Sequence, residues 1–182
     1  LERARSSVSA ELAFDPFRTV ASAVSLRDYL KQQARMTLAG RRLRIADYLI
    51  DLLDDDGYFR ESLFETAEEF AAAVPEVEEV LRVIQGFDPP GIAARDLREC
   101  LLIQLRTLAH SESSDHLTDC ECWVPVTTLA NAERILMDHW EAFSKLRFKA
   151  IASQLGVTVG VVREAVDFIR DRLTPYPASM YA

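Results

Sequence analysis

Four consecutive residues, Asp88-Pro89-Pro90-Gly91, cannot lie inside a helix, yet helical stripes run up to them from both sides. Each proline fixes its own φ and pushes the residue before it out of the α region, while glycine permits a reversal. Upstream, Val77, Val80, Leu81 and Ile84 recur at helical spacing behind Pro75, which suits a first helical position. Downstream, Leu97, Leu101, Leu105 and Leu108 do the same, with Asp96 near the positive end of the helix dipole. The chain must reverse between two amphipathic helices, the second running from about Ala94 to Ala109. Phe87, Asp88, Pro89, Pro90, Gly91, Leu97 and Leu101 carry this turn and its helix structurally.

The rest of the chain divides around that reversal. Residues 1–24 lack sustained periodicity and read as an extended lead-in. Ser25 with Asp28 forms a capping box for a helix through about Ala39, with Leu26, Tyr29 and Leu30 inward. After Gly40, the stripe Ile45, Tyr48, Leu49, Leu52 and Leu53 marks a second helix ending at Asp54-Asp55-Asp56-Gly57. Three aspartates at that end oppose the macrodipole, so something beyond local helix stability keeps them there, or the cost is tolerated. Ser62-Leu63-Phe64-Glu65 opens a short helix to about Ala73. Residues 25–109 are expected to form one helical bundle. Residues 110–126, rich in Ser, Asp, Thr and Cys, read as a loop or linker. A second bundle is expected over 127–173, from a long helix at about Thr127–Ser144 and two shorter ones at Phe148–Leu155 and Val159–Leu173. The tail, 174–182, is expected to be extended around Pro175 and Pro177. Nothing reads as a strand, so the fold class is all-α.

Charge and composition narrow the function. The 49% hydrophobic content suits a packed core, and no apolar run approaches the roughly 18 residues of a membrane span. Three cysteines do not describe a disulfide framework, and a reducing cytoplasm fits them better. Leu1 in place of an initiator methionine is expected of a fragment. A net charge of −8 argues against general affinity for nucleic acid. The charge is also blocked along the chain. Arg27–Arg44 holds six basic residues against Asp28 alone, and Asp47–Glu79 holds twelve acidic residues against Arg60. Such blocks are either solvated helix faces or a bipolar surface that steers docking onto a charged protein.

Ile151, Ala152, Leu155, Gly156, Val157 and Val162 have the pattern of a helix-turn-helix. The residues at the front of its second helix are Thr158, Val159, Gly160, Arg163, Glu164 and Asp167, of which only the arginine offers a bidentate donor to a base and two are acidic beside the phosphates. Lys145, Arg147, Lys149 and Arg163 are the candidate DNA contacts. His110, His116, Cys120 and Cys122 share one loop, but C-x-C is not the C-x2-C spacing of a zinc knuckle, so no metal is expected. His139 beside Trp140 fits core-edge packing, no paired catalytic array emerges, and no glycine-rich phosphate loop is present. The expectation is no enzyme, no cofactor and no small-molecule substrate.

Gln85 through Leu105, including F-D-P-P-G-I-A-A-R-D-L-R-E-C-L-L-I-Q-L, resembles the signature of the core-polymerase-binding region of sigma-54, a bacterial transcription initiation factor. Asp15-Pro16-Phe17, Ser25–Gln33, Ile45–Ile50, the Asp54–Phe59 turn and Val77–Gln85 are also similar to that region. Weaker similarity runs from Phe148 to Pro177, so residues 12–178 are covered. The family's glutamine- and leucine-rich N-terminal region and its promoter-reading domain have no counterpart here, so activator response and promoter recognition are not carried over. The tail Tyr176-Pro177-Ala178-Ser179 departs from the family's commoner proline-glycine ending. The resemblance implies a module that holds core RNA polymerase by protein contacts, with promoter DNA met only indirectly. Asp54, Asp55, Asp56, Arg95, Asp96, Arg98, Glu99 and Gln104 are the candidate polymerase contacts. The alternative is a DNA-binding regulator using the helix-turn-helix.

Overall fold

The structure, a computed structural model, describes residues 25–114 and 125–181. The lead-in and the loop with His116, Cys120 and Cys122 lie outside the described residues. Among the described residues there is no strand. The helices are α1 (Leu26–Thr37), α2 (Gly40–Asp51), α3 (Leu63–Glu69), α4 (Val74–Gln85), α5 (Leu97–Ser114), α6 (Val126–Asp138), α7 (Trp140–Ser144), α8 (Phe148–Leu155) and α9 (Val159–Arg172). A short 3-10 turn, Pro177–Tyr181, follows. No described helix is long and apolar enough to cross a membrane.

Local chemistry sets the helix starts. The Ser25 hydroxyl accepts from the Asp28 amide at 3.2 Å, and Ser62 accepts from Phe64 at 3.3 Å, each satisfying a first-turn donor. Gly156, with φ +71°, ends α8 in the left-handed conformation, and Thr158 then caps α9. Two apolar cores result. Leu30, Ile45, Leu49, Ile50, Phe59, Leu81, Ile84 and Ile92 centre the first, among α1–α4 and the turns that follow α2 and α4. Leu136, Ile135, Ile151, Val162, Ala165 and Ile169 centre the second, with Leu101 and Leu105 of α5 packed into it. A small group, Tyr58, Ala94 and Cys100 with Ile103 against it, forms a third cluster.

The structure departs from the sequence expectations at several places: α2 stops at Asp51 short of the aspartates, α3 stops at Glu69 rather than about Ala73, and α5 runs on to Ser114, through the first residues of the expected 110–126 loop. The leucines of α5 join the second core, so the helix expected to close the first bundle packs on α6 instead. Helix α5 starts at Leu97 rather than Ala94, because Ala93 has φ +56° and the 93–94 backbone bonds to Gly57 and Phe59. Leu97 is 40% exposed, not inward. The single helix expected over 127–144 breaks at His139, whose φ −124° and ψ 25° leave the helical region. The tail is extended only to Tyr176. Pro177 then opens a 3-10 turn, as a residue without an N–H can in a first turn.

Candidate functional site

The signature turn is held from three directions. Helix α1 grips Asp88: the Tyr29 hydroxyl donates to Oδ2 at 3.0 Å, and the Gln33 amide bonds both its N–H, at 3.0 Å, and its C=O, at 2.7 Å. The Asp54–Phe59 turn pairs with the other side, the Ala93 amide donating to Gly57 at 2.8 Å and the Phe59 amide to Ala94 at 2.9 Å. Gly91, at φ +90°, lies against α5, where an added Cβ would stand 2.7 Å from Gln104 Nε2 and 2.8 Å from Cys100 Sγ. The Asp88–Pro89 bond is cis.

Several expected surface residues turn out to be committed inside the molecule. Asp96 caps α5, accepting from the Glu99 amide at 2.8 Å, and Glu99 reaches back to the Arg95 amide at 2.6 Å. Arg98 donates through Nε to the Leu136 carbonyl at 2.7 Å and through its terminal nitrogen to Met137, capping the end of α6. Gln104 is 5% exposed and cannot offer a surface to a partner. Its amide instead donates to the Thr174 carbonyl at 2.7 Å and accepts from the Thr174 amide at 2.9 Å. Burial pushes the pKa of the neighbouring Cys100 thiol up, and it does the same to the Tyr58 hydroxyl. Arg95 remains exposed, paired with Glu78 at 3.3 Å.

The three aspartates lie beyond α2 rather than on it, which answers the helix-dipole objection. Asp54 accepts from the Tyr58 amide at 2.7 Å, the Asp56 amide at 3.1 Å and Arg60 Nε at 2.7 Å. Burial works against its ionisation, but these bonds outweigh that and hold its pKa below the usual carboxylate range. Asp55 and Asp56 are exposed.

Much of the charge blocking in sequence is cancelled in space. Lys31 meets Asp51 at 2.7 Å, Arg41 meets Glu76 at 3.8 Å and Arg42 meets Glu79 at 3.0 Å, each a basic-block residue on an acidic-block one. Arg82 and Arg95 share Glu78. Among the described residues no ion pair reaches Glu61, Glu65, Glu68 or Glu69, the acids on and before α3. Thr66 and Ala67 face inward there, and Phe64 stands 58% exposed between the glutamates. Sequence reasoning missed Phe64, because an aromatic in a short helix reads as core until the packing is known.

On the second core, Lys145, Arg147, Lys149 and Arg163 are all exposed, Lys145 being paired with Glu141. Helices α8 and α9 are joined through Gly156 and the Thr158 cap, and on α9 Glu164 stands beside Arg163. No cluster of three or more metal-ligating side chains occurs among the described residues.

Residues 15–182 match the family described as sigma-54 factor, core binding domain. The chain is 34% identical over 163 residues to RNA polymerase sigma-54 factor 1 of Bradyrhizobium diazoefficiens, covering 89% of this chain and 30% of that protein. It is 31% identical over 159 residues to the RNA polymerase sigma-54 factor of Bacillus subtilis, covering 87% and 32%. With that of Salmonella typhimurium the identity is 36% over 157 residues, covering 84% and 30%. The chain therefore spans about a third of the length of these relatives.

Proposed function

The chain belongs to the sigma-54 factor core-binding-domain family, and on that premise we propose that it docks a transcription initiation factor onto core RNA polymerase by protein–protein contacts. The observation that carries this reading is the family match over residues 15–182, nearly the whole chain. The exposed chemistry supports it. On and just before α3, Phe64 offers an aromatic anchor and Glu61, Glu65 and Glu68 a charged rim, the arrangement expected of a docking face for a basic protein surface. Asp55, Asp56 and Arg95 extend the candidate surface, whereas Asp54, Asp96, Arg98, Glu99 and Gln104 act within the fold. No observation favours base reading by the helix-turn-helix.

Titrating labelled chain into core polymerase tests the proposal. Phe64→Ala is expected to speed dissociation, because a central apolar anchor acts mainly on the off-rate. Replacing Glu65 and Glu68 with glutamine is expected to slow association and flatten its salt dependence, since exposed charges act on encounter. No saturable binding at micromolar concentration, together with tight binding of duplex DNA, would transfer the function to a regulator.

A further inference from the structure

The inward-facing residues of the signature converge on the chain's own C-terminal segment. Leu173 leaves α9 in an extended conformation, φ −111° and ψ 145°. Gln104 then bonds both main-chain polar atoms of Thr174, as a neighbouring strand would. The Tyr58 hydroxyl donates to the Pro175 carbonyl at 2.5 Å, and the Ala178 amide donates to Asp56 at 3.3 Å. Every backbone donor from Thr174 to Ala178 is accounted for: Pro175 and Pro177 have none, and the Tyr176 amide bonds the Thr174 hydroxyl at 3.3 Å. Leu173 and Ala178 are buried at the two ends, while Thr174 and Tyr176 stay exposed. The segment is therefore recognised by its backbone and its shape.

Two glycines leave the room it occupies. A Cβ on Gly57, at φ +91°, would stand 3.3 Å from both Ala178 and Pro177, and one on Gly91 would push the Gln104 amide. A shallow groove runs alongside, lined by Pro89, Pro90, Leu108, Thr174 and Pro177.

We propose that the signature turn, Tyr58 and Gln104 form an intramolecular binding site for the extended, proline-containing segment Leu173–Ala178, and that this segment is a latch: Gln104 anchors its start on α5, on the side of the second core, and Tyr58 with the Asp56 carbonyl holds its end to the turn that follows α2, on the side of the first. The two large cores share no buried residue. Their links include the chain at Arg95-Asp96, the exposed Arg95–Glu78 pair, the close approach of Gly91 to Cys100 and Gln104 on α5, the small Tyr58–Ala94–Cys100 cluster and the latch. Segments held by hydrogen bonds and few apolar contacts open at lower free energy than the cores they join. The latch opens while both cores stay folded.

Native-state amide exchange on the full chain tests this, comparing the parent with Gln104→Met, which removes both Thr174 bonds at similar volume. Exchange at the Thr174 amide is expected to rise tenfold or more, with Ala178 following, while Ile135 and Ile169 in the second core and Ile84 in the first hold their rates. Tyr58→Phe, which deletes one hydroxyl at constant shape, is expected to give a smaller rise at the same amides, and it decides the matter if Gln104→Met does not fold. Unchanged exchange at Thr174 and Ala178 would overturn the proposal. So would an equal rise at Thr174, Ile135 and Ile84, because the tail would then open only with global unfolding.

Discussion

A side chain at residue 91 meets two obstacles at once: a backbone at φ +90° and a Gln104 amide nitrogen 2.7 Å from where its Cβ would be. The backbone strain alone costs about 1–3 kcal/mol. Gly91→Val is therefore expected to lower the urea midpoint more than Gly91→Ala, and an unchanged midpoint for the valine variant would show that the turn tolerates a Cβ. Asp54 gives a second residue-level expectation, in pH. Its carboxyl is more acidic folded than unfolded. Such a group stabilises the fold above its unfolded pKa of about 4, and that contribution is lost as pH falls through the folded value. Asp54→Asn is expected to flatten the acid-side fall in stability relative to the parent chain. Denaturation of both chains at stepped pH checks this.

At the scale of elements, one arginine ties two helices together. Arg98 projects from the first turn of α5 onto the last carbonyls of α6, where helix ends leave acceptors unsatisfied. Arg98→Ala is expected to cost about 1–2 kcal/mol, at the low end for bonds from a charged donor because the side chain is half-exposed. Arg98→Lys should recover only part of this, since an ammonium lacks the planar fork that spans two carbonyls. Chemical denaturation of the three chains measures it, and equal stability of the alanine variant would remove the cap from the account. The caps at Ser25 and Ser62 could be read directly from sequence, because donor and acceptor lie within one turn. So could the Pro-Pro-Gly reversal and the stripes of α1, α2, α4, α8 and α9. Arg98 and Gln104 could not, because their partners lie 38 and 70 residues away and an amphipathic pattern does not say which core a helix joins. The same limit explains α5, whose leucine stripe is equally compatible with either bundle. It also explains Leu97, which continues the stripe in sequence but falls where the helix has only begun.

Among the described residues, much of the charge that is blocked in sequence meets its opposite in ion pairs while the acids on and before α3 meet none, and the two cores are held in register by a latch. Latch and docking are linked through population. If polymerase engages both cores at a fixed spacing, only the closed form is competent, and the apparent dissociation constant scales as the inverse of the closed fraction. A latch closed nearly all the time can open ten times more often without changing that fraction appreciably. Gln104→Met alone is therefore expected to speed exchange at Thr174 yet leave polymerase affinity within about twofold of the parent. The Tyr58→Phe, Gln104→Met double variant loses three hydrogen bonds to the segment, each contributing about 0.5–1.5 kcal/mol. That is enough to bring open and closed forms towards equal populations, and affinity should then fall with the closed fraction read from exchange. Equilibrium titration of core polymerase with the three chains, set beside their Thr174 exchange rates, makes the comparison. A large affinity loss in Gln104→Met with Thr174 still protected would mean that residue 104 acts on polymerase by a route other than the latch.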